Sequence, residues 1–275
     1  MKFINVIRTL LLLLLLPLQA FAQQVSHETL KQVLLASGGM ESYSNEQMTA
    51  SLTQMAKLKL GTTDDAALQQ KTQSYLQNHF LDDLTDVMAP YYTELTEADC
   101  QELIKAYNSE QGKSIVKRIT NVAAQAQEAM AQQMQSAMLQ IMSGQPVTAV
   151  EMRGTDQQLK DTFMEYYKLS GANAAIDNAL GSMESMSAQM QGEQKTQFDN
   201  LTQGLRQYLS QNTPALTYNL MLDANITQQD LQFYVDILQS PAGQHLTTGS
   251  LNLSKDVINM GQQLVDKVFA GISAE

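Results

Sequence analysis

The stretch Leu95-Thr96-Glu97-Ala98-Asp99-Cys100 has a counterpart 131 positions later, Ile226-Thr227-Gln228-Gln229-Asp230-Leu231. In both stretches a threonine precedes an aspartate by three residues, and an apolar helical face begins directly afterwards. This spacing is typical of a capping box, in which the hydroxyl and the carboxylate bond to the first free N–H groups of a helix. The two stretches therefore predict two equivalent helix starts.

The alignment continues downstream at the same offset. Ser109 matches Ser240 and Gly112 matches Gly243, so a cap and a first-turn glycine recur. Apolar positions also match, in the pairs Ile104 and Val235, Tyr107 and Leu238, Ile115 and Leu246, and Val122 and Leu253. Upstream, the amphipathic residues 157–169 correspond to residues 27–36 at an offset of 133, a slip that a surface loop absorbs. We interpret the chain as an internal duplication of one module.

Composition indicates that the fold is all-α. The chain has no Trp and only 6% aromatic residues, and strand-favouring residues are scarce. Its abundant Gln, Ala, Leu and Met are good helix formers. Caps and breakers predict helices over 27–36, from Ser44 to Gly61, from Asp64 to Pro90, from the Thr96 cap, and from Ser109 to Met142.

The domain boundaries follow from one break in the helical pattern. Residues 143–155 begin Ser143-Gly144-Gln145-Pro146 and show no helical face before Asp156, so they are predicted to be a linker. This leaves a first helical module at 23–142 and a second at 156–275. The expected architecture is two bundles of five to six helices, each folding alone, or one elongated double bundle.

The first 22 residues are predicted to be a secretory signal peptide. Lys2 and Arg8 give a basic start, residues 10–16 are all leucine, and Ala20-Phe21-Ala22 ends the segment. Cleavage is expected after Ala22, and the mature protein is expected in the periplasm. No later stretch is apolar enough to predict an integral membrane protein.

The charge of the chain argues against nucleic acid as a partner. It has 17 basic and 28 acidic residues, and losing Lys2 and Arg8 with the signal peptide changes the net charge from −11 to −13. Such a surface repels phosphate backbones. The single cysteine, Cys100, aligns with Leu231 and is therefore predicted to be a core residue.

The second copy carries a recognisable run of residues. Thr227, Asp230-Leu231 and then Ser240-Pro241-Ala242-Gly243-Gln244 resemble the signature of domain-of-unknown-function family 2059. The first copy departs from it, with Glu110 in place of the proline and Lys113 in place of the glutamine. The resemblance implies an all-helical fold and a periplasmic address, and it implies no activity.

The glycines of this signature are predicted to have a packing role. Gly112 and Gly243 fall in the first turn of a helix, where glycine is less favourable than alanine by about 1 kcal/mol. A missing Cβ there is explained if the preceding helix approaches closely at a tight corner.

One patch of side chains has the composition of a metal site. His79, Asp82, Asp83 and Asp86 lie on neighbouring turns of one predicted helix, and imidazole and carboxylate groups bind divalent metals. The second copy has no equivalent cluster. We therefore interpret the patch as an anionic surface and predict no metal ligands, no cofactor and no catalytic residues.

Methionine stripes give two functional hypotheses. Met130, Met134, Met138 and Met142 recur every four residues, and Met183, Met186 and Met190 form a second stripe. Thioethers suit adaptable apolar contacts, which favours a non-catalytic module binding an envelope protein or an apolar ligand. The alternative is a protein that handles copper or zinc through these stripes or the His79 patch, since soft ligands select copper(I).

Overall fold

A computed structural model of the chain describes residues 25–38, 52–54, 65–145, 148–188 and 190–274. Within these ranges the regular structure is helical and no strand occurs, which confirms the all-α prediction. The predicted signal peptide, the predicted helix from Ser44 to Gly61 and Pro146 lie outside the described residues, apart from the helical residues 52–54.

Four long helices form the described part of the first half. They are α1 (His27–Ala36), α2 (Asp65–Met88), α3 (Glu97–Asn108) and α4 (Glu110–Met142), with a 3-10 turn at Ala89–Tyr91 between α2 and α3. The described part of the second half contains six helices. They are α5 (Gln157–Leu169), α6 (Ala172–Ser187), α7 (Gly192–Asp223), α8 (Gln228–Gln239), α9 (Pro241–Lys255) and α10 (Val257–Ala274).

Side-chain caps set most of these boundaries at the predicted places. The hydroxyl of Ser26 accepts a hydrogen bond from the N–H of Thr29 at the start of α1. Asp156 accepts one from the N–H of Leu159 at the start of α5. These local bonds satisfy N–H groups that have no partner within the helix. The sequence therefore predicted α1, α4 and α5 to within a residue.

One long helix of the first half lies 131 residues before two shorter helices of the second half. At that offset α4 aligns in sequence with α9 and α10, which are separated at Asp256. The hydroxyl of Tyr91 donates a hydrogen bond of 2.7 Å to the Asp256 carboxylate. Desolvation first, and then the bond and charge of Asp256, raise the pKa of Tyr91 to about 12. The break thus lies where the first half contacts the second.

Each half packs one of its helices on the far end of the other half's long helix. Helix α2 packs along α10, and helix α7 packs along α4. Both contacts are close at a glycine. A Cβ at Gly271 would overlap the ring of Tyr75 on α2, and a Cβ at Gly204 would come within 2.6 Å of the Ile141 side chain on α4. In each half, therefore, one helix packs on the last helical segment of the other half; we call this reciprocal packing the exchange.

The described apolar core is continuous across the halves. Its buried members include Leu84, Leu103 and Ile115 from the first half and Leu231, Leu246 and Leu253 from the second. A smaller core also mixes the halves, since Ala137 of α4 packs with Leu205 of α7. Residues 143–155 thus connect two parts of the chain whose described apolar cores are continuous.

None of the helices in the described ranges combines the length and the apolar character needed to cross a bilayer.

Because the core is shared, we expect the halves to depend on each other. Residues 23–145 and 146–275, produced as separate chains, should each expose the apolar faces that the other covers and should be poorly folded alone. Produced together, they should co-purify as a one-to-one complex with the helix content of the intact protein. Size-exclusion chromatography and far-UV circular dichroism check this. Two halves that each unfold cooperatively as stable monomers would contradict the exchange.

Candidate functional site

The corners between α3 and α4 and between α8 and α9 have the geometry that the sequence predicted. The hydroxyl of Ser109 accepts from the N–H of Gly112 at 2.9 Å, and that of Ser240 accepts from the N–H of Gly243 at 3.1 Å. A Cβ on Gly112 would overlap the carbonyl oxygen of Ala106, and one on Gly243 would overlap that of Ile237. The glycines let the new helix start directly against the last turn of the old one.

Both predicted capping boxes are present. The Asp99 carboxylate accepts from the N–H of Thr96 at 2.9 Å, and the N–H of Asp99 donates to the Thr96 hydroxyl. At the start of α8 the Asp230 carboxylate accepts from the N–H of Thr227 at 2.8 Å, with the same reciprocal bond. The side chains of the two aspartates are only 13% and 10% exposed. Each box therefore holds a carboxylate that is largely removed from water.

A basic side chain from the opposite half reaches each of these carboxylates. Arg118 of α4 donates two hydrogen bonds to Asp230, of 2.8 and 2.6 Å. His245 of α9 lies with its Nδ1 atom 3.1 Å from Asp99. His245 is half-buried, and its bond runs between the two halves. Its partner lies 146 residues away, so no local pattern indicated the pair.

The hydrogen bonds to Asp99 and Asp230 lower the pKa of both carboxyl groups. Burial alone would raise the pKa of Asp99, but bonds from Thr96 and His245 outweigh it and hold the pKa below its ordinary value. Burial also opposes the ionised form of Asp230, and bonds from Arg118 and Thr227 lower its pKa. Both carboxylates are therefore ionised at neutral pH.

The acidic patch on α2 is built into contacts with other helices. Lys31 of α1 lies 2.6 Å from Asp82, and Lys267 of α10 lies 2.6 Å from Asp86. Asp83 accepts a hydrogen bond of 2.7 Å from Tyr75, on whose ring the His79 ring packs at 5.0 Å. The described residues contain no group of three or more His, Cys, Asp or Glu side chains arranged to hold a metal ion. The patch thus ties α1 and α10 to α2.

Cys100 is in the core, as predicted. Its side chain is fully buried. Desolvation, followed by the charges of Glu97 and Asp99, raises the pKa of its thiol to about 12. The thiol therefore stays protonated at neutral pH, and a protonated thiol is a poor nucleophile.

The end of α4 presents an apolar surface, which we call the α4 tip and define as Met138, Leu139, Ile141 and Met142. Leu139 is 64% exposed and Met142 is 74% exposed. Met138 and Ile141 are half-buried and pack on the smaller core. Of the other predicted stripe members, Met190 also packs on that core. The side chains of Met130, Met134, Met183 and Met186 lie outside the described structure.

Residues 82–140 cover the end of α2, the Thr96 capping box, the Ser109 corner and most of α4. They match the model of a family described as "Uncharacterized protein conserved in bacteria (DUF2059)". This confirms the DUF2059 resemblance for the first half, although the signature residues that indicated it lie in the second. The description of DUF2059 names no activity. No curated protein and no solved structure matches the chain.

We expect Gly243→Ala and Gly112→Ala to destabilise the protein. Helix propensity alone would favour alanine by about 1 kcal/mol, but each Cβ would overlap a backbone carbonyl that cannot move aside, and overpacking costs about 1–3 kcal/mol. Gly181→Ala is the matched control, because Gly181 is helical and nothing lies within 4 Å of its Cβ position. Chemical denaturation measures all three. A midpoint that rises in Gly243→Ala as it does in Gly181→Ala would show that the corner is not close-packed.

We expect acid to loosen the contact between the halves. The folded pKa values of Asp99 and Asp230 are lowered, so their stabilisation is complete well above the unfolded value of about 3.9 and is lost as pH falls below it. Arg118→Ala should cost about 1–3 kcal/mol at neutral pH, since it leaves a buried carboxylate short of a donor. Arg206→Ala, which breaks an exposed ion pair with Glu184, should cost about 0–1 kcal/mol.

Denaturation midpoints between pH 3 and pH 7 check this. Asp230→Asn should flatten the fall below about pH 4. An equal acid response in Asp230→Asn and in the unchanged protein would remove Asp230 from the explanation.

Proposed function

We propose that the protein is exported to the periplasm, is cut after Ala22 and acts there as a non-catalytic module that binds another envelope protein or an apolar ligand. The basic, apolar and small-residue segments within residues 1–22 support export. The burial and protonated state of Cys100, the only thiol in the chain, support a role without thiolate catalysis. The observation that carries the binding role is the exposed α4 tip.

Leu139 and Met142 stand three residues apart, so they share one side of the helix. Scattered exposed apolar residues are common, but adjacent ones next to half-buried apolar neighbours form a contiguous surface of the kind that binds partners. Methionine adapts its shape to a partner because its side chain is unbranched and flexible. A helix end of this composition suits an apolar groove or helix on another molecule.

The proposed duplication supports a binding role for the α4 tip, because the two copies differ at its exposed positions. At the offset of 131 residues, Leu139 and Met142 correspond to Ala270 and Ser273, which are exposed at the end of α10. Their packed neighbours stay apolar, since Met138 and Ile141 correspond to Phe269 and Ile272. The module thus packs without large apolar residues at the two exposed positions. Their presence in the first copy is best explained by a contact outside the chain.

A photoreactive amino acid at position 139 of the full-length, exported protein tests the proposal. We expect irradiation of cells to capture a partner from position 139 and not from position 102, a control on the exposed side of α3. Met142→Ser, which supplies the residue of the second copy, should reduce capture several-fold while leaving the circular dichroism spectrum unchanged. If position 139 captures nothing and an apolar dye does not bind the tip, the binding role is wrong.

One further substitution distinguishes copper or zinc handling from the binding of an apolar partner. Met142→Leu keeps the apolar surface and removes the thioether, so binding of an apolar partner should survive it. Metal titration followed by mass spectrometry on the unchanged protein and on Met142→Leu completes the test. Tight copper(I) binding that is lost in Met142→Leu would favour metal handling over partner binding.

A further inference from the structure

Met142 is the most exposed methionine among those whose side chains the structure describes. It is 74% exposed, and Met164 follows at 43%. The other methionine side chains in the described part of the chain are half-buried or buried, namely Met88, Met138, Met152, Met190, Met221 and Met260. A small oxidant dissolved in water therefore reaches the sulfur of Met142 more readily than the other sulfurs of this set.

The position of Met142 separates its chemistry from the stability of the fold. It is the last residue of α4, and its neighbours Met138 and Ile141, not Met142 itself, pack on the smaller core. An atom added to the Met142 sulfur extends into solvent and displaces no buried side chain. A covalent change at this position thus alters the surface of the α4 tip and leaves the helix in place.

The α4 tip owes its apolar character to very few side chains. Residues 129–150 contain no Asp, Glu, Lys or Arg, so no charge from this part of the chain contributes to the tip. Leu139 and Met142 are its two exposed members. A strong dipole on one of these two side chains would therefore change the polarity of the whole tip.

The reaction open to a thioether is the transfer of one oxygen atom from a peroxide. The sulfur lone pair attacks one peroxide oxygen, an S–O bond forms and the O–O bond breaks. The proton on the transferred oxygen moves to the departing one, which leaves as water. Sulfur is oxidised and the peroxide is reduced. The product, methionine sulfoxide, is polar, and sulfoxide reductases convert it back to methionine.

The thiol of the chain does not compete for the oxidant. Cys100 is fully buried and stays protonated at neutral pH, and oxidation of a cysteine requires an accessible thiolate. Among the described sulfur atoms, the one at the α4 tip is thus the first that a peroxide meets.

We propose that Met142 is an oxidation site, and that its conversion to the sulfoxide by a peroxide releases the apolar partner of the α4 tip. This inference rests on the binding role proposed for the tip. A sulfoxide in an apolar groove has lost its water and gains no hydrogen bond in return, so the affinity should fall about tenfold or more. Reduction of the sulfoxide restores the apolar surface.

Dilute hydrogen peroxide added to the full mature protein tests the chemical step. Peptide mapping by mass spectrometry should show that Met142 gains oxygen several-fold faster than the buried Met88, Met221 and Met260. Retention on a phenyl column should fall as Met142 is oxidised, because the exposed apolar surface is smaller. The far-UV circular dichroism spectrum should not change.

Three variants assign the effect to one sulfur. Met142→Leu keeps an apolar side chain without sulfur, so its retention should not respond to peroxide. Met164→Leu removes the next most exposed described sulfur and should respond as the unchanged protein does. Met142→Gln places a polar amide at the tip and should show the lower retention before any peroxide is added.

Capture by the photoreactive amino acid at position 139 tests the consequence for binding. Peroxide should reduce capture about tenfold in the unchanged protein, as judged from the cost of burying an unpaired polar group, and should not reduce it in Met142→Leu. No capture before peroxide would contradict the binding role itself. Capture that peroxide does not reduce would contradict the oxidation site alone, as would a Met142 that is oxidised no faster than the buried methionines.

Discussion

Apolar side chains at the ends of α4 and α10 leave water by packing on a helix from the opposite half, and this constraint organises the fold. Helix α4 has 33 residues, which is about 50 Å of helix. Helix α7 covers its end, and helix α2 covers α10 in return. At Gly204 and Gly271 the side chains of Ile141 and Tyr75 pack directly on the backbone of the facing helix. The described parts of the two halves therefore share one core.

Several ion pairs of this acidic chain connect the two halves. The 28 acidic residues outnumber the 17 basic ones, so not every carboxylate can have a cationic partner. Yet Arg118, His245 and Lys267 each bind a carboxylate of the other half. Burying the carboxylates of the two capping boxes would be costly if only the threonines bonded to them. A basic side chain from the opposite half offsets that cost, and it makes each helix start depend on the presence of the other half.

The sequence predicted what is determined locally and missed what is determined by long-range contacts. The predicted starts of the helices at 27 and 157 and after Thr96 were correct, and in the structure each start has a cap that bonds within three residues of itself. The packing role of Gly112 and Gly243 was also predictable, since a glycine in a first turn is unfavourable without a reason. The packing of α2 on α10 and of α7 on α4 could not be predicted from the sequence. An apolar helical face indicates that the face is buried, but it does not indicate which helix covers it. The same limit applies to His245 and to the cations that occupy the acidic patch on α2.

Under the proposed duplication, differences between the two halves suggest where the proposed binding role lies. The second half breaks its long helix at Asp256, where Tyr91 binds, and α10 then buries Val268, Phe269 and Ile272. The first half keeps α4 unbroken, so its end carries Leu139 and Met142 into solvent. Large exposed apolar residues oppose solubility and gain nothing in packing. They persist in one copy while the other has alanine and serine at the same positions, and that contrast is more informative than either surface alone. A difference between equivalent positions that packing does not require points to binding as its cause.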